Sequence, residues 1–546
     1  MPTTKKRRLQ PADAFLHKQV FDPQVSPNGR LVAYTVIRHD ADANERQMSV
    51  FVAPLDGRAA ARRFTYGKHD HSPRWSPDGR WLAFISERGE KNQLFLAPLD
   101  GGEARQLTKE PHGAMDPAWS PDGHRIAYVA RAGEHKDAKQ RNAAEKAAPR
   151  VIRNLRYRLD GIGYFDERRT HVFVADVDTG VRTQVTDGDW FDGQPSWSPD
   201  GKTIAFTSDR EPQRHQRQFR ADVWVAPSTG GRARRLSRGR GNASTPVFSP
   251  DGRWVAYAGH EHGDAGGARH THVLVVPAAG GAAPRSISES LDRSVAALLT
   301  GGMTWSRDSR SVVFPANDGG AVSLYRARLD GGSIERVLGG QRQVQGFSVA
   351  PDGRRVAIAA AFSSQPSEIY AATLGGGARE RNLSHANDEL IAAAELAPTR
   401  RITARAPDGG EVEAFVLFPP GYRPGRRYPL VLDIHGGPNG VHPGGFMMRP
   451  QALAAAGYVV AMPNPRGSLG YGEAFMHAVV NDWGGGDFDD LMAVVDRLVR
   501  RGVADPERLF VMGYSYGGFM TAWTIGQTDR FRAALIGAPV ADHIAM

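Results

Sequence analysis

The sequence contains no cysteine, which excludes a disulfide framework and any thiolate metal site. It also lacks an apolar run of membrane-spanning length. The basic cluster Lys5-Lys6-Arg7-Arg8 has no hydrophobic stretch behind it, so the first residues do not read as a secretory signal. The expectation is a cytoplasmic protein with no membrane partner. Charge of one sign is in modest excess, 69 Lys and Arg against 59 Asp and Glu, giving +10 and a pI of ≈ 9.8. A nucleic-acid partner would need those cations clustered. They are spread along the chain, apart from the N-terminal tail and the stretch Lys136 to Arg169, where Arg150, Arg153, Arg156 and Arg158 fall close together. That stretch is read as a solvated face or an interdomain contact, and no nucleic acid is expected.

A length of 546 residues is too great for one core. The first two thirds carry a repeat in which an aromatic or apolar residue precedes Ser-Pro-Asp-Gly and a β-rich run follows. It begins at Ser26 (with Asn28 for Asp), Ser76, Ser120, Ser198 and Ser249, with worn copies at Ser306 and Ala350, seven in all. Pro presets a turn, Asp or Asn caps it through its side chain, and Gly accepts positive φ. Runs such as Trp81-Leu82-Ala83-Phe84 supply the next strand, and later partners such as Leu94-Phe95-Leu96 follow. Four short strands per unit at a spacing of roughly 45 to 55 residues predict a seven-bladed β-propeller. The polar stretch from Gly133 to Ala148 reads as an insertion. Val151 to Phe165, with Tyr157 and Tyr164, reads as a blade-edge loop, with a substrate passage as the alternative.

After Leu396 strands alternate with helices, which predicts a doubly wound α/β layer. Glu411 to Phe418, Leu430 to Ile434, Tyr458 to Met462, Leu509 to Met512 and Ala534 to Ile536 read as strands. Asp487 to Arg501 carries apolar residues at helical spacing. Within this layer Gly513-Tyr514-Ser515-Tyr516-Gly517 sits between an apolar strand and a helix-like stretch. In that context G-x-S-x-G is a nucleophile elbow, with the serine hydroxyl exposed above the end of a buried strand. His435-Gly436-Gly437-Pro438 follows another strand end, where backbone N–H groups can approach a developing oxyanion. The donors expected are Tyr516 N–H and Gly436 or Gly437 N–H.

His435-Gly436-Gly437-Pro438, Asn464-Pro465-Arg466-Gly467-Ser468 with Gly470-Tyr471-Gly472, Asp482-Trp483-Gly484 with Asp489-Asp490, and Gly513 to Gly518 together resemble the catalytic domain of prolyl-oligopeptidase-family serine peptidases. The branch they look most like is the acylaminoacyl-peptidase and dipeptidyl-peptidase type. The resemblance implies a β-propeller followed by an α/β-hydrolase domain lacking its last strands, with Ser515 as nucleophile and a propeller that admits peptides but not folded proteins. The boundaries expected are an N-terminal segment 1–22, the propeller over 23–395 and the hydrolase part over 396–546. Dipeptidyl peptidases of the best-known kind anchor the substrate amine with adjacent glutamates, and this chain has no Glu-Glu pair. That shifts weight toward acylaminoacyl or general oligopeptidase activity. Arg466 is read as a buried turn contact and Asp490 as a helix-surface charge.

A serine nucleophile needs a base and a group to orient it. After Ser515 the sequence holds one histidine, His543, beside Asp542, with Asp529 the other later aspartate. Neighbours on an extended segment point to opposite sides, so Asp542 and His543 are not expected to converge on Ser515. The expectation is that the family's Asp and His lie beyond residue 546, and that the chain as written is inactive alone and unlabelled by a fluorophosphonate. His435 is a backup base in principle. The pairs His69/His71, His260/His262 and His270/His272 have i, i+2 spacing but no evident third ligand, so neither metal nor cofactor is expected. The partners expected are peptides, with further copies of the chain an open alternative. A propeller binding protein with a non-catalytic appendage and an esterase are the competing readings.

Overall fold

The computed structural model describes residues 6–133, 142–143, 147–149, 151–152, 157–159, 163–164, 168–211, 220–263, 268–297, 301–377 and 379–542. Arg150, Arg153, Arg156, Phe165, Lys5 and His543, singled out from the sequence, lie outside these residues. Tyr157 and Tyr164 are exposed, with ring centroids 6.1 Å apart.

Among the described residues, strands between positions 19 and 382 form seven four-stranded units in sequence order: 19–63, 70–106, 114–184, 192–235, 242–286, 304–338 and 343–382. These are the blades of a propeller, numbered 1 to 7 below. Blades 6 and 7 are joined by one parallel bridge, Val322 to Gln343. The repeated tetrapeptide makes the turn between the first and second strands of each blade. In blade 4 the Ser198 hydroxyl donates to Asp200 at 2.6 Å and accepts Thr203 N–H at 2.9 Å. Gly201 takes φ 68°, the left-handed region glycine enters without strain. The second strands, such as Trp81–Ser86, are buried on both faces, because every blade is sandwiched between two others.

The tryptophan ahead of the tetrapeptide joins blade to blade. Trp75, Trp119, Trp197 and Trp305 each donate Nε1–H to a backbone carbonyl of the preceding blade, at Gln24, Arg74, Ala118 and Val247, over 2.8, 3.0, 2.9 and 3.1 Å. Val25, Phe248 and Val349 stand at that place in the other three blades and cannot donate. A second stitch runs along the outer strands. Arg62, Arg105, Arg234, Arg285 and Arg381 donate to turn carbonyls of the following blade, at Leu99, Val177, Ala278, Leu329 and Asp56. The last of these closes the ring from blade 7 to blade 1. Among the described residues, no strand is exchanged at that closure. Val25 N–H donates to Ser348 Oγ at 2.9 Å and Ser367 Oγ–H to the Val20 carbonyl at 2.9 Å.

Two of the N-terminal cations, Arg7 and Arg8, are anchored. They pair in parallel with Ala394 and Glu395, and Arg7 Nη1–H donates to Asp13 at 2.7 Å.

Beyond this junction six strands form one sheet: β1 (Thr399–Arg405), β2 (Glu411–Leu417), β3 (Tyr428–Ile434), β4 (Val459–Asn464), β5 (Ala504–Tyr514) and β6 (Phe531–Gly537). Their order is β1-β2-β4-β3-β5-β6. β4, β3, β5 and β6 run parallel, with β2 antiparallel to both β1 and β4. Helices α1 (Met448–Ala455), α2 (Glu473–His477), α3 (Gly486–Arg500) and α4 (Tyr516–Gln527) connect them. α3 lays Leu491, Val494, Val495 and Leu498 against Leu430, Leu432 and Val511 in one continuous core. The architecture is a propeller followed by an α/β-hydrolase domain. Among the described residues, no helix is long and apolar enough to cross a membrane.

The propeller turns the face opposite its repeated turns toward this domain. Gly319 N–H donates to Gly470 O at 2.9 Å and Gly444 N–H to Gly320 O at 2.8 Å. Arg269 donates to Glu473 at 2.8 Å, and Glu473 N–H to Asp292 at 2.8 Å.

Candidate active site

β5 ends at Tyr514 and α4 begins at Tyr516, which leaves Ser515 alone in the turn at φ 61°, ψ −121°. Such a conformation is strained for a residue with a Cβ and persists only where its surroundings impose it. Three glycines supply that constraint. A methyl on Gly513, Gly517 or Gly518 would lie 2.2 Å from Gly517 O, 2.2 Å from Ile434 O and 2.3 Å from Gly537 O. Strand, turn and helix therefore touch backbone to backbone. Ser515 N–H donates to Gly537 O at 3.0 Å, while among the described residues its hydroxyl has no hydrogen-bond partner.

Gly436 lies against this turn: a methyl there would sit 3.5 Å from Ser515 Cβ and 3.2 Å from Tyr514 O. The elbow and the Gly436-Gly437 turn, from strand ends 80 residues apart in the chain, thus meet through the parallel pairing of β3 with β5, Ile434 opposite Gly513. The N-terminus of α4, with its unpaired N–H groups and positive dipole end, faces the same place.

His435 is buried, and its ring is fully engaged. Nδ1–H donates to Gly436 O at 2.8 Å, and Nε2 pairs with the Ser468 hydroxyl at 2.9 Å. Burial, with His442 adding to it, holds its pKa down to about 3. It is a neutral structural histidine, which removes it as a backup base. The His442 ring donates to Asp433 O at 2.8 Å. Burial raises the pKa of Asp433 against the opposing pull of Arg449, whose Nη2 lies 2.8 and 2.9 Å from the two carboxylate oxygens.

Asp490 is corrected by the structure. It is 1% exposed, not a surface charge. Its carboxylate accepts Arg466 N–H at 2.7 Å, Nε–H at 2.9 Å and Nη2–H at 2.8 Å. Arg466 bridges onward to Asp408 at 2.8 Å, and these carboxylates, Asp490 foremost, raise its pKa. The pair ties the β4–α2 loop to α3, a structural role.

Asp487 went unnoticed in the sequence. It is fully buried and accepts the Tyr516 hydroxyl at 2.6 Å together with the N–H groups of Gly484 and Phe488, both at 2.9 Å. Trp483 packs edge-on to Tyr516 with centroids 5.0 Å apart, and the Trp523 indole donates to Gly484 O at 2.8 Å. Tyr516 is thus fixed at its far end while its N–H faces the elbow. Its hydroxyl is kept protonated by burial and by the Asp487 charge. The sequence gives no hint of this, because Asp487 is one of three aspartates in the first turn and a half of α3 and reads as an ordinary acidic helix start.

Of the histidine pairs, His260 and His262 stack at 6.0 Å and His270 and His272 meet edge-on at 6.1 Å. Among the described residues, no group of three His, Cys, Asp or Glu is placed to hold a metal ion.

Comparison with known proteins locates this geometry. The model of the prolyl oligopeptidase family matches residues 445–546, and that of the TolB beta propeller domain matches 5–153 and 162–290. A Bacillus subtilis protein named uncharacterized peptidase YuxL is 32% identical over 542 residues, spanning 96% of this chain and 81% of that one. The chain belongs to the prolyl oligopeptidase family. As a member, it is a serine-type peptidase, a hydrolase. Dipeptidyl-peptidase 5 of Porphyromonas gingivalis is 28% identical over 557 residues, covering 98% of this chain and 79% of its own length. Among solved structures, the uncomplexed acylaminoacyl peptidase of Pyrococcus horikoshii superposes with a TM-score of 0.77 at 22% identity, over 96% of this chain and 77% of that one. A puromycin-hydrolyzing peptidase of Mycobacterium tuberculosis does so with a TM-score of 0.70 at 19% identity, over 98% and 80%. At these identities the superpositions speak for the fold of this prolyl-oligopeptidase-family chain.

Proposed function

We propose that Ser515 is the nucleophile of a peptidase acting on short peptides, removing dipeptides or acylated residues through an acyl-enzyme. The observation that carries this is the Ser515 turn itself, held at positive φ by backbone contacts with Gly436 alongside. Ser515 Oγ attacks the scissile carbonyl carbon, and the oxyanion is held by Tyr516 N–H with Gly436 or Gly437 N–H. A histidine base takes the hydroxyl proton and passes it to the leaving amine. Among the described residues none reaches Ser515 Oγ, and His543 lies outside them. Water then hydrolyses the ester. The propeller face turned toward the site restricts access by size. The cytoplasm is the proposed compartment, and neither nucleic acid nor membrane enters the reading.

Turnover of dipeptidyl anilides against N-acetyl-aminoacyl anilides distinguishes the two substrate classes. In a version of the chain that carries the family's Asp and His, Ser515→Ala should lower kcat by about 10⁶ with the circular dichroism spectrum unchanged. Turnover retained in that variant would remove Ser515 from the mechanism. The gate is tested by placing one scissile sequence in peptides of increasing length and in a folded carrier. Equal rates on the carrier would eliminate it.

A further inference from the structure

The second strands of blades 1 to 6 bury an aromatic ring at one repeat position: Tyr34, Phe84, Tyr128, Phe206, Tyr257 and Phe314. Three of the six carry a hydroxyl that must be satisfied inside the protein, since burying it unpaired is costly. The Tyr128 hydroxyl donates to Glu110 Oε1 at 2.6 Å, and Arg182 Nη1 lies 3.1 Å from Oε2 of the same carboxylate. The Tyr257 hydroxyl faces Glu261 at 3.4 Å. Tyr34 is equally buried, yet among the described residues its hydroxyl has no hydrogen-bond partner.

The seams on either side of the repeat explain the difference. Between blades 2 and 3, Thr108 Oγ1 accepts Leu94 N–H at 2.9 Å and Gln93 Oε1 accepts Glu110 N–H at 2.9 Å. Between blades 7 and 1, Ser384 Oγ accepts Ile369 N–H at 2.8 Å and Glu368 Oε2 accepts Ala386 N–H at 2.9 Å. Position for position, Ala386 stands where Glu110 stands. In place of the missing carboxylate is a cavity of about 340 Å³ that Tyr34 and Ala386 help to line, with Lys18, Arg38, Arg63 and His385 around it. That volume is at the small end of ligand pockets.

The nearby acids do not fill the vacancy. The Glu368 carboxylate is spent on the Ser384 hydroxyl and the N–H groups of Ala386 and Asn387. Asp388 pairs with His385 at 3.2 Å and Glu389 with Lys18 at 3.8 Å. Arg38 donates to Gln47 and Arg63 to the Thr65 carbonyl, each through one N–H of its guanidinium, which leaves further donors on both. Burial, with the Glu368 charge, raises the Tyr34 pKa, so the hydroxyl is a donor at any physiological pH.

We propose that this cavity binds a small organic acid as its anion, the carboxylate accepting the Tyr34 hydroxyl as Glu110 accepts that of Tyr128, with Arg38 and Arg63 supplying the counter-charge. The ligand bridges blade 7 to blade 1, the seam that closes the ring. The site is independent of Ser515 and of hydrolysis.

Succinate is a suitable probe, measured by titration calorimetry and by thermal unfolding against potassium chloride at matched ionic strength. Succinate should bind and raise the Tm. Tyr34→Phe should weaken that binding by roughly tenfold, the effect of losing one hydrogen bond to a charged group. Ala386→Glu should place the missing carboxylate permanently, raising the Tm without ligand and abolishing the response to succinate. If Ala386→Glu does not fold, Tyr34→Phe decides alone. No heat and no Tm gain over chloride would overturn the proposal. So would undiminished binding in Tyr34→Phe, or sulfate binding as tightly as succinate, which would point to non-specific attraction by the basic groups.

Discussion

The two halves of the chain are held together by opposite means. In the hydrolase half, one large core spans the sheet and α3 with a smaller cluster under α1 on the other face, and the functional turn is fixed by backbone lying directly on backbone at Gly513, Gly517 and Gly518. In the propeller, several smaller apolar clusters are joined at their seams by side chains reaching across, an indole or a guanidinium at a time. The first arrangement tolerates almost no added volume where it is tightest. The second is redundant, since each stitch is one of several.

The most severe test of that contrast is Gly517→Ala. Its methyl meets the Ile434 carbonyl, part of a central strand that has nowhere to go. A loss of more than about 4 kcal/mol is expected, read as selective exposure of residues 400–540 in hydrogen exchange with the blades still protected. Exchange unchanged in both halves would show that the elbow has slack.

Acid should separate the halves next. His435 and His442 lie buried with pKa values lowered from 6.5 to about 3 and about 4. The unfolded chain therefore takes up protons that the folded chain refuses. Stability is complete above about pH 6.5, falls as pH drops from there toward about 3, and changes no further below that through these two groups. The turn aspartates Asp200, Asp251 and Asp308 behave in the reverse way. The hydroxyls of Ser198, Ser249 and Ser306 hold their pKa values below 3.8, so their contribution persists down to about pH 4 and disappears only as pH falls through the folded values. Burial also lowers His71, His260, His270 and His272 in the propeller and His17 at the junction, so the halves differ in degree: hydrogen exchange at pH 5 should show the hydrolase half loosening first through the large shifts of His435 and His442. Simultaneous loosening would contradict the assignment of the pH sensitivity to the two histidines.

A smaller effect is expected from Asp487→Ala, which strands the buried Tyr516 hydroxyl at a cost of roughly 1–3 kcal/mol. Because Tyr516 N–H is a proposed oxyanion donor, kcat should fall more than KM rises. Tyr516→Phe, which removes the hydroxyl along with its need for a partner, should soften the loss of stability in the double variant. The smallest effect belongs to a single stitch. Trp197→Phe removes one indole-to-carbonyl bond and should cost about 1 kcal/mol, while the same change at the Phe248 seam is already present in the natural sequence.

Much of this contrast is legible in the sequence. The repeated tetrapeptide carries its own turn chemistry, so seven copies announce seven blades, and G-x-S-x-G between an apolar strand and a helix announces the hydrolase elbow. What could not be read were contacts that depend on distant chain. The tryptophan ahead of four of the seven tetrapeptides looks like an ordinary core residue until the previous blade, some 45 to 80 residues upstream, places a carbonyl at its N–H. Asp490 reads as solvent-facing because its partner Arg466 is 24 residues away on another element. His435 beside Gly436 suggests chemistry by adjacency, and only the packing of Ser468 against its ring shows that both nitrogens are already committed.

The rung that pairs Arg7 with Ala394 has a topological consequence. The polypeptide departs for the propeller and returns from it within the width of one strand pair, about 5 Å, so the whole ring hangs from the hydrolase half like a bead on a closed loop. In its covalent connection such a unit has one point of attachment: it could be cut out or exchanged for another ring of blades without rerouting the chain, at the cost of the face contacts at Gly319, Gly320, Arg269 and Asp292.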